Sequence, residues 1–224
     1  MSSTTRADPG DERFVVATGV RFVNGRQRIS EIRAQADALD QAIIQAVEGT
    51  PTPALDRSLV RLSNAANRSR LWLVTAGVVA AAGGTSGRRA AGEAVAAIGM
   101  ASAESNLVLK PLRRRRRPEV PADGQVSPSR EVRRPTSSSF PSGHAASAFA
   151  FASSMGEAVP PMWVPLHLAA ALVAYARVHT GVHFPSDVVV GSLVGAFCGW
   201  TVRRLTDRWM PPALSPTQSR VCAG

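Results

Sequence analysis

From residue 70 onward the sequence runs through five apolar stretches: Leu71 to Gly84, Ala90 to Leu109, Ala145 to Val159, Met162 to Val178 and Val188 to Val202. Long uncharged runs of Ala, Val and Leu point to lipid at least as much as to a water-soluble core. Each run is at or below the roughly 20 residues that a spanning helix needs. The reading is an all-α, integral-membrane helical bundle of about five spans with amphipathic N-terminal helices, and a compact soluble helical bundle is the alternative. The 224 residues, 45% of them hydrophobic, suffice for one domain plus tails.

Three regions follow: a polar N-terminal segment at 1–50, a membrane domain at 51–206 and a C-terminal tail at 207–224. Residues 1–12 read as disordered, and 13–23 as a short strand or surface-lying segment. From Ile29 the residues Ile32, Ala36, Leu39, Ile43 and Ala46 recur at helical spacing, which predicts an amphipathic helix ending before the Pro-rich break near residue 50. A second, basic amphipathic helix is expected over 54–70. The first seventy residues hold no apolar region of signal-peptide kind, so insertion is expected to rely on internal spans. Residues 118–139, rich in Pro, Ser and charge, read as a loop.

The formal charge is +10, which suits nucleic acid, anionic headgroups or a phosphorylated substrate. Nearly all of the positive charge is arginine, and Lys110 is the only lysine. Cys198 and Cys222 are far apart and form no metal-spaced pair, so neither disulfide nor zinc is expected. Glu93 and Glu104, eleven residues apart, share a helix face that should point into the bundle or a wet cavity.

Three polar clusters sit where apolar stretches end. In the first, Lys110 is followed by Arg113 to Arg117. Two of these cations, one of them Arg117, suit phosphate, with Asn106 one turn before Lys110 to hold its ammonium. In the second, Pro141-Ser142-Gly143-His144 opens a helix: Ser142 is an N-cap, Gly143 allows close approach, and the free first-turn amides form an anion site where His144 can give a proton to a leaving oxygen. In the third, Arg177, His183 and Asp187 meet at a helix junction. A carboxylate there fixes the imidazole tautomer and leaves the other ring nitrogen free to attack. Taken singly, the clusters also read as a headgroup stop signal, a capped helix and an ordinary His/Asp contact. Their order places all three on one face of an up-and-down bundle.

Lys110 with Arg117-Pro118, then Pro141-Ser142-Gly143-His144, then Arg177 with His183 and Asp187 resembles the three-part signature of the type 2 phosphatidic acid phosphatase superfamily, shared by vanadium haloperoxidases. The resemblance spans roughly Asp56 to Arg204. It implies that His183 forms a phosphohistidine, Asp187 orients it, and His144 protonates the leaving alcohol and helps activate water. It further implies that Lys110, Arg117, Arg177, Ser142 and the Gly143 amide hold the phosphoryl oxygens, with no metal or cofactor needed. The substrate implied is a lipid phosphate or pyrophosphate of phosphatidate or polyprenyl type, and the setting a bacterial cell (inner) membrane. Nucleic acid is not an expected partner. The alternatives are a vanadate-dependent haloperoxidase and a non-catalytic membrane protein binding anionic lipid or nucleic acid. Ala176 stands where the family usually has Ser, five spans replace the common six, His179 matches no catalytic position, and His167 reads as a core histidine.

Overall fold

The structure, a computed structural model, describes residues 25–119, 130, 132 and 134–209. The expectations for residues 1–23, for Cys222 and for most of the 118–139 loop lie outside the described residues. By internal contacts, residues 1–38 and 39–224 make two units. The described part of the first is the beginning of helix α1 (Gly25–Glu48).

Among the described residues helix is the only regular secondary structure, with no strand. After α1 come α2 (Pro53–Ala65), α3 (Arg70–Ala82), α4 (Gly84–Ala103), a short α5 (Lys110–Leu112), α6 (Gly143–Ala158), α7 (Trp163–His179) and α8 (Pro185–Trp209). All five apolar stretches are therefore helical. The helix expected over 54–70 is broken: α2 stops at Ala65, a short 3₁₀ turn covers Asn67–Ser69, and Arg68 and Ser69 both take left-handed φ before α3 begins. That bend sets Asn67 apart from either helix. Between α4 and α5 the residues Glu104–Leu109 form a wide π-turn, in which the Lys110 amide reaches back to the Ser105 carbonyl.

Helix α6 is the centre. Ala145, Ala146, Ala148, Ala150, Phe151, Ala152 and Met155 are fully buried, and α4, α7 and α8 pack around it. Small side chains suit a helix enclosed on all sides, because neighbouring backbones then approach closely. The α8 partners are glycines four apart: Gly191 lies against the Ser142 carbonyl, Gly195 against that of Ala146 and Gly199 against that of Ala150. The outer helices present large apolar residues outward, among them Leu73, Val74 and Val78 on α3, Leu168 and Leu172 on α7, and Leu193, Phe197 and Trp200 on α8. Among the described residues, two helical segments, Pro160–His179 and Pro185–Trp209, are long and apolar enough to cross a membrane.

Of the two carboxylates expected on one face of α4, Glu93 is buried and held by Arg89 (2.8 Å) and Arg203 of α8 (2.7 Å). Glu104 falls within the π-turn, beside an apolar pocket formed with Met100, Leu193 and Phe197. Cys198 is a buried free thiol facing the same pocket.

Candidate active site

The third cluster is built by a reversal of the chain. Helix α7 ends at His179, Gly181 takes φ +61°, and the amides of Val182 and His183 both donate to the Arg177 carbonyl at 3.1 and 3.2 Å. Positive φ is inexpensive only for glycine, so this turn depends on Gly181. The reversal buries His183. Its Nδ1 donates to the Ser139 carbonyl at 2.8 Å, which puts the ring proton on that nitrogen. Nε2 therefore carries a lone pair, and Arg117 Nη1 stands 3.2 Å from it. Burial pushes the His183 pKa down to about 4; Arg117 and Arg177 push the same way and Asp187 opposes them. At neutral pH the ring is uncharged.

Asp187, in the first turn of α8, is fully buried. Its carboxylate lies 3.7 Å from His183 Nδ1, an ion-pair separation beyond hydrogen-bond range, because the Ser139 carbonyl occupies the nearer position. The carboxylate instead accepts from the Phe184 amide (3.0 Å) and Arg115 Nη1 (2.9 Å). Its influence on His183 is thus electrostatic.

The second cluster docks onto the same place. The Ser142 amide donates to the Asp187 carbonyl at 2.9 Å, joining the start of α6 to the start of α8. Ser142 is the N-cap, its Oγ accepting from the Ala145 amide at 3.5 Å. The amides of Gly143 and His144 have no intrahelical acceptor, and space beside Gly143 is open. His144 Nε2 is held at 2.9 Å by Asn67 Oδ1. Around His144, within electrostatic range, lie Arg177, His183, Arg117 and Lys110. The three clusters therefore meet.

Lys110 Nζ donates to Asn106 Oδ1 at 2.7 Å, the partner expected from helical spacing. Arg117 is clamped to the carbonyls of Val182 (2.9 Å), Pro135 (3.1 Å) and Ser138 (3.3 Å). Arg177, only 1% exposed, donates from Nη1 to Ser63 Oγ at 2.6 Å, while its buried Nε has no protein partner. A buried guanidinium nitrogen without a protein partner is a candidate contact for an anionic ligand. The neighbouring Ala176 is fully buried; the hydroxyl at Arg177 comes from α2 instead.

Several site residues escaped the sequence reading. Arg115, passed over within the arginine run, is the bridge between Asp187 and Asp40 of α1 (2.8 Å) and lies over the Phe184 ring. Asp40, 3% exposed, also accepts from the Ser186 amide at 2.9 Å and from its hydroxyl. Ser63 and Asn67 sit four residues apart in sequence, a helical spacing that hints at a shared face. Nothing local marks Ser139, whose contribution is a backbone carbonyl. His179 is buried, its Nε2 2.7 Å from Asp56 Oδ1, and Arg130 Nε approaches the same oxygen at 2.9 Å. His167 Nδ1 bonds to the Trp163 carbonyl and its ring stacks on Trp163, away from the site.

A family model for the PAP2 superfamily matches residues 90–211. The decaprenylphosphoryl-5-phosphoribose phosphatase of Mycobacterium tuberculosis is 40% identical over 97 residues, 42% of this chain and 49% of that protein. The undecaprenyl-diphosphatase of Sulfolobus acidocaldarius is 42% identical over 65 residues, 29% and 32% of the two chains. The chain thus spans about half the length, or less, of these curated relatives. In fold it is similar to the PAP2 type phosphatidylglycerolphosphate phosphatase of Bacillus subtilis, with a TM-score of 0.62 and 21% identity over 79% of this chain and 89% of that one.

Proposed function

We propose that this chain, which belongs to the PAP2 superfamily, is a membrane phosphatase that hydrolyses a lipid phosphate or pyrophosphate through a phosphohistidine on His183. The observation that carries the reading is the state of that ring. Its Nδ1 is tied to the Ser139 carbonyl, and its neutral Nε2 lies between Arg117 and the anion-binding start of α6. Nε2 attacks phosphorus and the bond to the leaving oxygen breaks, with His144 supplying the proton that oxygen takes up. Water then attacks the N–P bond, His144 receives the proton, and free phosphate leaves. Lys110, Arg117, the unpartnered edge of Arg177 and the Gly143 and His144 amides stabilise the charge gathered on the phosphoryl oxygens. Ser142 holds the cap that presents those amides, and Asp187 stabilises the developing imidazolium across 3.7 Å.

The outward apolar residues of α3, α7 and α8 around an enclosed α6 support a bundle of about five spans seated in a bacterial cell membrane. The names of the curated relatives support a polyprenyl-linked substrate arriving laterally from the bilayer. The test is phosphate release from a radiolabelled polyprenyl phosphate by the detergent-purified chain, with trapping of labelled enzyme by quenching in alkaline dodecyl sulfate. Acid-labile, base-stable label that disappears in His183→Ala is the expected result. Undiminished turnover in His183→Ala refutes the assignment.

A further inference from the structure

Within the arginine run, Arg113, Arg114 and Arg116 are exposed, whereas Arg115 turns inward. Both its main chain and its side chain reach groups that face His183. The Arg115 carbonyl accepts from the Ser139 amide at 3.0 Å, and the Arg115 amide donates to Ser138 Oγ at 3.1 Å. Ser139 is the residue whose carbonyl holds His183 Nδ1 at 2.8 Å. The Arg115 side chain donates from Nη1 to Asp187 Oδ1 at 2.9 Å and to Ser186 Oγ at 2.8 Å. That leaves Asp187 Oδ2 to take the Phe184 amide at 3.0 Å and to face His183 Nδ1 across 3.7 Å. The carbonyl and the carboxylate that face the protonated ring nitrogen are thus both placed by one residue. Arg115 has its own anchor in α1: Nη2 donates to Asp40 Oδ2 at 2.8 Å, and Asp40 Oδ1 accepts from the Ser186 amide at 2.9 Å. The guanidinium also lies 4.1 Å from the Phe184 ring centroid. A planar fork satisfies two carboxylates and a ring face at once, which a lysine cannot. Asp40 is buried and Asp187 fully so, and two carboxylates this close repel unless a cation stands between them.

We infer that Arg115 is a positioning residue of the nucleophile: held in place by Asp40 of α1, it fixes both acceptors at His183 Nδ1 and so keeps Nε2 unprotonated and aimed for attack; the inference deepens the phosphatase reading above and rests on it. The ring gains positive charge as Nε2 bonds to phosphorus and the leaving oxygen departs. The Ser139 carbonyl and Asp187 meet that charge through Nδ1–H, and their places depend on Arg115. Its charge matters as well as its shape. Besides Asp187, the charged and titratable groups around His183 are Arg117, Arg177 and His144. Without Arg115 the carboxylate of Asp187 stands uncompensated beside the ring, and the His183–Asp187 pair binds a proton more readily. Without the charge of Asp40, Arg115 answers Asp187 alone, and the pair binds a proton no more readily than before.

The experiment measures phosphate release from a prenyl phosphate in detergent across pH, using the full chain and the variants Arg115→Gln, Arg115→Lys and Asp40→Asn. Arg115→Gln should lower kcat about thirtyfold with KM within about twofold, and should raise the acid limb of kcat/KM by about one pH unit. Arg115→Lys, which keeps the charge and loses the fork, should hold the limb at its wild-type position and recover only part of kcat. Asp40→Asn still accepts the Ser186 amide; it should lower kcat about fivefold with the limb at or below its wild-type position. A second measurement follows the nitrogen resonances of isotope-labelled histidine, those of His183 being assigned by their loss in His183→Gln. Nδ1 should carry the proton in the wild type at neutral pH, and Arg115→Gln should give a mixture of tautomers. Wild-type kcat with an unmoved limb in Arg115→Gln, or an unchanged tautomer, overturns the inference while the phosphatase reading stands. A loss confined to KM makes Arg115 a substrate contact and also overturns it. If Arg115→Gln does not fold, Asp40→Asn and Arg115→Lys decide, and wild-type kcat in both overturns the inference. No phosphate release by the wild type removes the phosphatase reading, and this inference with it.

Discussion

Replacing Gly195 by alanine tests how the α6–α8 contact controls the site. A Cβ on Gly195 would stand 2.1 Å from the Ala146 carbonyl oxygen and 2.9 Å from both the Ala146 carbonyl carbon and the Ala150 nitrogen. All three are backbone atoms of the fully buried residues Ala146 and Ala150, so no rotamer change relieves the clash and the helices must part by about 1 Å. Overpacking of this kind costs about 1–3 kcal/mol, and the backbone contact places it at the upper end. Alanine returns about 1 kcal/mol of helix propensity. The net expectation is about 2 kcal/mol of destabilisation. Catalysis should suffer more. The same interface ends in the Ser142 amide bond to the Asp187 carbonyl, so separating the helices moves the Gly143–His144 amides away from His183. A displacement of about 1 Å in a reacting constellation costs about a hundredfold. The assay pairs thermal unfolding in detergent with kcat for phosphate release. Gly92→Ala on α4, where an added Cβ meets nothing within 4 Å, is the control: it should gain about 0.5–1 kcal/mol with activity unchanged. If Gly195→Ala unfolds and turns over like the wild type, the proposed coupling of helix packing to the site is refuted.

Asp40→Asn removes one of the two carboxylates that hold half-buried Arg115, which should cost about 1–3 kcal/mol; a melting temperature equal to wild type contradicts this. In wild-type enzyme the acid limb of kcat/KM should lie near pH 4, where His183 gains a proton, and a limb near 6.5 shows the ring to be ordinary. The same group links pH to stability. Its folded pKa is below the unfolded value, so its contribution is present above pH 6.5 and declines as pH falls toward about 4, which chemical denaturation at stepped pH will follow. Asn67→Ala frees His144 Nε2 and should lower kcat about tenfold with KM within twofold; loss confined to KM argues for a binding role instead.

The helices and the three polar clusters were legible because both depend on local pattern: apolar runs, a Ser cap, a Pro at a helix start, and Asn106 four residues before Lys110. Membership of the PAP2 superfamily followed from the same spacings. The residues that escaped reading act across the fold. Asp40 and Arg115 are 75 positions apart and look like ordinary surface charges until tertiary packing buries the carboxylate. Ser139 works through a carbonyl that any residue supplies. The pairing of His183 with Asp187 was expected as a direct hydrogen bond, because sequence proximity says nothing of a third group claiming the ring nitrogen first. The glycines at 191, 195 and 199 are a small-residue stripe of the GxxxG kind, so that signal lay in the open.

The wide turn at Glu104–Leu109 also sets rotational phase. A π-turn carries one residue more than an α-turn, and one residue is about 100° of rotation about the axis. Everything after it, beginning with Lys110 and the arginine run, is therefore dialled round relative to the buried face of α4. Deleting a single residue from this turn would leave every charge in the sequence yet swing Lys110 away from His144. Insertion or loss of one residue here would retune the mouth of the site as a unit, whereas point substitutions change it one side chain at a time.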